Sequence, residues 1–377
     1  MADRYQITPV EGRQGLKDFI RASYPAYAGD RNWVAPLELE RLEAFSPRHP
    51  YFQHARWQPF VAYEDGRAVG RISAQIDQLY LERHDPQTGF FGLVEGVDDP
   101  QLFAALTRAA ETWLSSRGMT RILGPFNLGI NQEVGLLVEG FDTPPYFMMG
   151  HGRPYYETHL KACGYEGCQD MLAYLAPPDF ELPRLFARQL RNAKKDLHIR
   201  PLDRSRKREE LAAIRDVFND AWSENWGFVP FTEAEFDAVG SELMYVVPGD
   251  LAMVAEHEGR AVGFIIMVPN INEIIAGMNG RLLPFGWLKL LWKLKARFPA
   301  TARVPLMGVR RDIQHTPLGP SAAIALIDAV RQNGYRRGVR MVETSWILED
   351  NAGMRKIMEH IGGTLSKRYR MFEKALS

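Results

Sequence analysis

Apolar and polar positions alternate over residues 60–72, FVAYEDGRAVGRI, and again over residues 253–265, MVAEHEGRAVGFI. Each stretch reads as two apolar strands joined by a tight turn, at Asp65-Gly66 and at Glu258-Gly259, so each predicts a β-hairpin. The two share Val-Ala and Gly-Arg-Ala-Val-Gly at the same spacing, which marks an internal repeat.

The flanks repeat as well. Helix-spaced apolar positions over residues 16–27 and 33–45, punctuated by Pro25 and Pro36, precede the first hairpin. It is followed by a strand at 88–94 and a helix at 100–117, opened by Asp98-Asp99-Pro100 and closed by Gly118. A strand at 120–126, a helix at 155–163 and a strand at 170–175 complete the copy. Pro177, Pro178 and Pro183 mark a break, and a basic run at 188–195 predicts a connecting helix. The second copy then reads strand 199–202, helix 208–222, helix 232–243 with Thr232 and Glu235 in capping-box spacing, and the hairpin within 251–268. Strand 304–313, helix 320–337, strand 339–347, helix 351–361 and strand 367–374 follow. The pattern predicts an α/β (α+β) protein of two similar domains in tandem, each a mixed, mostly antiparallel sheet flanked by helices. Their expected bounds are 1–178 and 198–377, joined by a connecting segment at 179–197.

Chemistry enters at residues 309–330, VRRDIQHTPLGPSAAIALIDAV, an apolar strand end, a turn rich in Pro and Gly, and a helix that starts with small residues. Such a helix start directs unpaired N–H groups and a positive dipole end at an anion. The equivalent stretch of the first copy, LVEGVDDPQ, places Glu95, Asp98 and Asp99 where they would repel a phosphate. Only the second copy is expected to hold one.

The element order with this turn resembles the GNAT acyltransferase superfamily, whose members bind acyl-coenzyme A. Val309, Gln314 and Gly319 match the family's turn at the right spacing, while Pro317 replaces its first glycine and offers no N–H. The resemblance implies acyl-CoA as a co-substrate, with no permanently bound cofactor. Val309, Arg310, Gln314, His315, Thr316, Leu318, Gly319 and Ser321 are its expected contacts. The family's Asn at the start of the next helix is Asn351, and the position of its frequent tyrosine reads Met358, taken here as core.

Two further stretches bear on the acceptor. The loop 124–156, GPFNLGINQEVGLLVEGFDTPPYFMMGHGRPYY, concentrates Gly, Pro, Asn and aromatic residues, so Asn127, Asn131, Glu133, Tyr155 and Tyr156 are candidates to line a polar pocket. The alternative is that Asn and Gly serve turns and Tyr fills core. An insert at 270–300 repeats Lys289, Lys293 and Arg297 beside a stripe of Trp287, Leu291, Leu294 and Phe298. A basic amphipathic helix of this kind suits a membrane interface, through Trp287, Lys289, Leu291 and Lys293, or packing against the other domain.

Composition narrows the classes. Lys plus Arg equals Asp plus Glu, 46 each, so no global field argues for nucleic acid. Cys163 and Cys168 lack the spacing of a redox pair or zinc site, and no other ligand cluster suggests a metal. The N-terminus lacks an apolar signal core and no apolar run is long enough to span a bilayer. A cytoplasmic protein, peripheral on the inner face of the cytoplasmic membrane in the lipid reading, is expected.

Together, the GPFN loop, the insert and the segment from ETSWILEDN to KRYRMFEK resemble the bacterial ceramide synthase group. Gly124, Pro125, Asn127, Asn131, Glu133 and Gly135 carry this likeness in the first copy, and Glu343, Ser345, Trp346, Asn351 and Arg355 in the second. The resemblance implies N-acylation of a sphingoid base by a long-chain acyl thioester, with coenzyme A or acyl carrier protein as carrier. An amine is mostly protonated at neutral pH, so a base must take a proton before nitrogen attacks the thioester. Glu343 is the first candidate, with Glu133 and Glu273 as rivals. Asn351 is placed with the catalytic residues, and Trp346 with Asn127, Asn131, Tyr155 and Tyr156 at the substrate. An oxyanion donor is expected near Val309 and Arg310. Two other classes stay open: an acetyl-CoA-dependent N-acetyltransferase of a small-molecule or protein amine, and a non-catalytic acyl-CoA-binding protein.

Overall fold

The computed structural model describes residues 4–280 and 298–376. Trp287, Lys289, Leu291 and Lys293, and with them the expected amphipathic helix, lie outside the described residues. Among those described, no helix is long and apolar enough to cross a membrane.

In chain order the first copy comprises β1 (Gln6–Pro9), α1 (Gly12–Arg21), α2 (Glu38–Ala44), β2 (Ala55–Glu64), β3 (Arg67–Asp77), α3 (Gln78–Arg83), β4 (Thr88–Gly96) and α4 (Pro100–Ser115). It continues with β5 (Arg121–Gly124), β6 (Phe126–Asn127), β7 (Glu133–Val134), β8 (Leu136–Glu139), α5 (Tyr155–Ala162) and β9 (Glu166–Ala176). After α6 (Arg184–Asp196), the second copy comprises β10 (His198–Pro201), α7 (Lys207–Ala221), α8 (Glu233–Val246), β11 (Ala252–His257), β12 (Arg260–Pro269), α9 (Asn272–Ile275) and β13 (Thr301–Val309). A short helix Arg311–Gln314, the long helix Leu318–Arg336, β14 (Met341–Leu348), the helix Ala352–His360 and β15 (Thr364–Ala375) end the chain.

Both hairpins form as expected. Their turns need positive φ at two successive residues, supplied by Asp65 (48°) and Gly66 (75°), and by Glu258 (49°) and Gly259 (77°). Thr232 and Glu235 close the capping box of α8: the Thr232 hydroxyl accepts from Glu235 N, and the Glu235 carboxylate from Thr232 N.

The described residues form two compact units. The first runs to Met171 and takes in the segment that begins at Ile275 and the chain from Lys367 onwards. The second runs from Leu172 to Ile274 and resumes after the insert up to Ser366. The linear bounds at 178 and 198 mark where the repeat turns over in sequence; the units follow hydrogen bonding instead. β15 lies antiparallel to β5, pairing Phe372 with Gly124, so the last strand of the chain completes the first sheet. Conversely Leu172, Tyr174 and Ala176 of β9 pack with Ile347 and Met358 in the second unit.

Each unit repeats one pairing scheme. In the first unit the strands run β1-β2-β3-β4-β5-β15, antiparallel except for the parallel pair β4/β5. The second runs β10-β11-β12-β13-β14, antiparallel except for β13/β14. This is the mixed, mostly antiparallel α+β architecture expected from the repeat. Strand alternation divides the first core between two faces: Phe60 and Ala62 pack with Leu102, Phe103 and Leu106 of α4, whereas Val61 packs with Phe19 and Ile20 of α1.

Local differences have nonlocal causes. The loop 124–156 is not wholly irregular, since β6 pairs β7 and β8 pairs β15. The expected strand 304–313 ends at Val309, because Arg310 turns inward to donate to Ala261 O (2.8 Å) and Arg311 N bonds Asp220 (2.8 Å). Asp170 tests the tie made by β15. Burial alone would raise its carboxyl, but Arg370 (2.6 Å) and Arg368 (2.9 Å) hold it below the usual carboxylate range. A carboxyl lowered by folding contributes stability above its unfolded pKa of about 3.9, and loses it as pH falls through the lower folded value. Asp170→Asn is therefore expected to cost about 1.5–3 kcal/mol at neutral pH and to flatten the acid limb of stability, read by urea unfolding across pH.

Candidate active site

The second unit's parallel pair opens part-way along. β13 and β14 are in register only over Thr301–Val304 and Met341–Thr344, although they run on to Val309 and Leu348. At the point of separation β13 also bulges against β12, where Val304 and Pro305 oppose the single residue Met267. Beyond it, Pro305, Leu306 and Met307 are half-buried amid a strand otherwise buried from Ala302 to Val309. A strand that loses its neighbour leaves backbone N–H and C=O groups facing the gap. Met307 O is used there by the Trp222 indole N–H (2.9 Å).

A buried polar cluster sits at the base of this gap. Arg303 (1% exposed) lies opposite Glu343 (0% exposed) in the strand register. Arg303 Nε donates to Ser345 Oγ (2.8 Å), and Ser345 Oγ donates to Glu343 Oε1 (2.8 Å). The Arg303 guanidinium lies over the Trp346 ring, 4.7 Å from its centroid. The strand register equates this site with Phe90 opposite Leu123 in the first unit, an apolar pair. The polar cluster is therefore present in one copy only. Arg303 escaped the sequence reading; its signal was an arginine inside the apolar strand TARVPLMGV.

The phosphate-type turn is more closed than its sequence suggests. Gln314 Nε2 donates to Val309 O (2.7 Å), and Ser321 Oγ to Pro317 O (2.9 Å). The N–H groups of Thr316 and Gly319 bond Ile313 O (3.0 Å) and Thr316 O (3.2 Å), and Leu318 N bonds Thr316 Oγ1 (3.2 Å). This differs from the expected array of open donors: the Arg311–Gln314 helical turn supplies a carbonyl to Thr316, Thr316 in turn supplies acceptors to Leu318 and Gly319, and Pro317 and Pro320 have no N–H to add. Arg310 is buried and pairs with Asp216, while His315 and Thr316 are exposed. Gly319 is required by close packing, since a Cβ there would stand 2.5 Å from Ile313 O and 2.8 Å from Gln314 Cα. Gly319→Ala is expected to cost about 1–3 kcal/mol by overpacking, measured by urea unfolding.

The other candidates are placed by local contacts. Asn351 caps the helix Ala352–His360, accepting from Met354 N (3.0 Å), and Met358 is core. Glu273 accepts from the N–H groups of Ala300 (3.0 Å) and Thr301 (2.7 Å), which tie its carboxylate to the start of β13. In the first unit Asn127 accepts from Leu93 N (2.7 Å) and pairs in register with Glu133, whose carboxylate lies 3.7 Å from Arg41. Asn131 is half-buried on the intervening loop. Tyr156 is in the core and its hydroxyl accepts from Gly96 N, while Tyr155 donates to Gly96 O (2.9 Å). Burial pushes the Tyr155 phenol up to about 12 and the Tyr156 phenol well above its ordinary value, so both stay neutral at neutral pH. These tyrosines follow the core alternative rather than the polar pocket. The acidic turn is also spent internally: Glu95 pairs with Arg71, Asp98 with His159, and Asp99 caps α4. Cys163 and Cys168 are free thiols whose pKa burial raises, to about 12 for Cys168. Among the described residues no cluster of His, Cys, Asp and Glu is arranged to hold a metal ion.

No family model matches the chain. It is 47% identical over 365 residues to Protein YghO of Escherichia coli (strain K12), covering 97% of this chain and 94% of that protein. It is 44% identical over 373 residues to the Bacterial ceramide synthase of Caulobacter vibrioides (strain NA1000 / CB15N), covering 98% and 97%. Among solved structures, a tandem GNAT protein from the clavulanic acid biosynthesis pathway matches with a TM-score of 0.55 at 14% identity, covering 99% of each chain. A GCN5-related N-acetyltransferase from Sphaerobacter thermophilus also gives 0.55, at 13% identity, covering 100% of this chain and 97% of that one. Those likenesses establish the fold, and the full-length identities establish kinship: the chain belongs to the tandem GNAT family that includes the bacterial ceramide synthase.

Proposed function

We propose that this protein is an N-acyltransferase that moves a long-chain acyl group from an acyl thioester, acyl-CoA or acyl carrier protein, to the amine of a sphingoid base or similar amino-lipid. The observation that carries the reading is 44% identity over almost the whole length of a bacterial ceramide synthase. The opened β13/β14 pair supports it, because the gap offers a thioester an open backbone edge beside a buried carboxylate.

In this mechanism the thioester carbonyl lies along the free edge of β13, where backbone N–H groups stabilise the oxyanion as it forms. The amine enters as the free base, its ammonium proton released to solvent, and donates a hydrogen bond to Ser345 Oγ. Nitrogen attacks the carbonyl carbon, forming the C–N bond, while its proton passes to Ser345 as Ser345 passes its own to Glu343. The C–S bond breaks, the thiolate leaves, and a proton from Glu343 or solvent restores the thiol. Arg303 holds Ser345 in line and carries positive charge beside the carboxylate. The coenzyme's phosphates meet the turn at 309–321, where binding exchanges the internal bonds of Thr316, Leu318 and Gly319 for bonds to oxygen. Residues 281–297 are proposed to bring the protein to a membrane surface.

Purified protein given palmitoyl-CoA and sphinganine should release free thiol and form the amide, seen by thiol titration and mass spectrometry. Turnover of acetyl-CoA alone would point to the acetyltransferase class. Binding of acyl-CoA without thiol release from any donor would make the protein a non-catalytic binder.

A further inference from the structure

A cleft of about 550 Å³, open mouth included, lies between α7, α8 and the sheet of the second unit. Among the described residues Arg204 is the one charged side chain that lines it, and the rest of the lining is apolar or glycine. The floor is a row of apolar side chains set side by side across the strands. Leu306 of β13 is opposite Ile266 of β12, Ile266 is opposite Ala252 of β11, and Ala252 O accepts from Leu202 N just after β10. Three inter-strand spacings, ~14 Å in all, separate the two ends. Leu306 belongs to the half-buried stretch of β13 that has lost β14, so one end of the row lies on the strand that borders the gap. Arg204 is engaged at the other end, donating to Val247 O.

The two helices over the cleft pack closely at Gly240. Gly240 of α8 faces Leu211 of α7, and a Cβ there would stand 2.6 Å from Leu211 Cδ2. A glycine inside a helix costs stability, and here its absent side chain lets Leu211 pack directly against α8 beside the cleft. Val239 and Met244 are half-buried beside it.

We infer that this cleft holds the acyl chain of the thioester donor, with Gly240 and Met244 setting how long a chain it accepts. The inference rests on the acyl-transfer reading above. A carbonyl placed at the open edge of β13 directs its alkyl tail over Leu306 and along the row towards Leu202. The occupant is a flexible, unbranched alkyl chain, which matches a narrow apolar cleft running across the strands and closed by a polar group at its far end.

The full-length protein is assayed with octanoyl-CoA and palmitoyl-CoA, each with sphinganine and with a short-chain homologue of it. Gly240→Leu should lower the palmitoyl-to-octanoyl ratio of kcat/KM about tenfold or more, and Met244→Ala should move the ratio the other way. Met244→Phe carries the same expectation as Gly240→Leu and stands in if melting curves show that the latter does not fold. Unchanged ratios in the folded variants overturn the inference. So does a shift in preference for the sphingoid chain instead of the acyl chain, which would place the acceptor's tail in the cleft. Absence of transfer by the wild type counts against the acyltransferase reading alone. The cleft is then tested by calorimetric binding: wild type should bind palmitoyl-CoA more tightly than octanoyl-CoA, with the margin lost in Gly240→Leu, and equal binding by the wild type overturns it.

Discussion

Glu343→Gln is expected to lower acyl transfer about 100-fold or more, the usual contribution of a positioned general base. The loss should fall on kcat rather than KM, since in the proposed mechanism Glu343, buried behind Ser345, takes a proton during the chemical step instead of binding either substrate. A purely structural reading makes a different set of predictions. Glu343 lies in register with buried Arg303, so neutralising it also removes negative charge beside a guanidinium and should lower the melting temperature whether or not it is the base. Ser345→Ala separates the two roles. It keeps both charges and removes only the hydroxyl between them, so a relay loses rate while a counter-charge role is nearly unaffected. Initial rates of thiol release and melting curves for both variants decide. Wild-type kcat in Ser345→Ala, beside a destabilised Glu343→Gln, would reduce Glu343 to a partner for Arg303.

The contrast between these residues and those read correctly from sequence is one of range. The capping box at Thr232 and Glu235 and the hairpin turns at Asp65-Gly66 and Glu258-Gly259 are local, and their determinants lie within a few residues of one another. Their repetition was enough to reveal the tandem architecture. Arg303 depends on a strand register: an isolated arginine in an apolar strand acquires meaning only when Glu343 and Ser345 of β14 are brought beside it. β8 was missed for the same reason, since its partner β15 is at the far end of the chain. Asn351 shows the opposite case, a family position with a local structural use. Its family position was recognised, yet the side chain satisfies Met354 N, a local need that any Ser, Thr, Asp or Asn at a helix start can meet. The turn at 309–321 is legible as a turn, but the bonds that close it depend on Thr316, whose N–H bonds Ile313 O of the Arg311–Gln314 helical turn and whose oxygens accept from Leu318 and Gly319, in a stretch where the pattern predicts strand up to 313.

Glu95→Ala in the first unit is expected to cost about 3–5 kcal/mol, the penalty for leaving a buried charge without its partner. Arg71 is 6% exposed and donates from Nε to Glu95 Oε2 (2.7 Å), while its Nη1 reaches only Phe19 O (3.2 Å). The Phe19 ring lies 5.1 Å from the guanidinium, and Tyr27 donates its hydroxyl to the other oxygen of Glu95 (2.7 Å). Removing the carboxylate thus strands a guanidinium where water cannot replace it. The midpoint of urea unfolding, followed by circular dichroism, measures the loss. The double variant Arg71→Met, Glu95→Leu should recover most of it, because apolar residues of similar size often replace a buried ion pair without net cost, and Tyr27 keeps the His151 carbonyl as an acceptor (3.3 Å). A single variant of near wild-type stability would mean that Arg71 finds another anion. The repeat gives the result a wider meaning. Aligning the hairpins places Phe264 at the position of Arg71, and Phe264 is opposite Gly308 where Arg71 is opposite Glu95. Each unit therefore buries a strand-to-strand Arg–Glu pair where the other is uncharged: Arg71–Glu95 in the first, Arg303–Glu343 in the second. The first pair joins β3 to β4 and is expected to act on stability, the second sits where β13 and β14 part and is expected to act on rate, and recovery by apolar replacement is expected for the first alone.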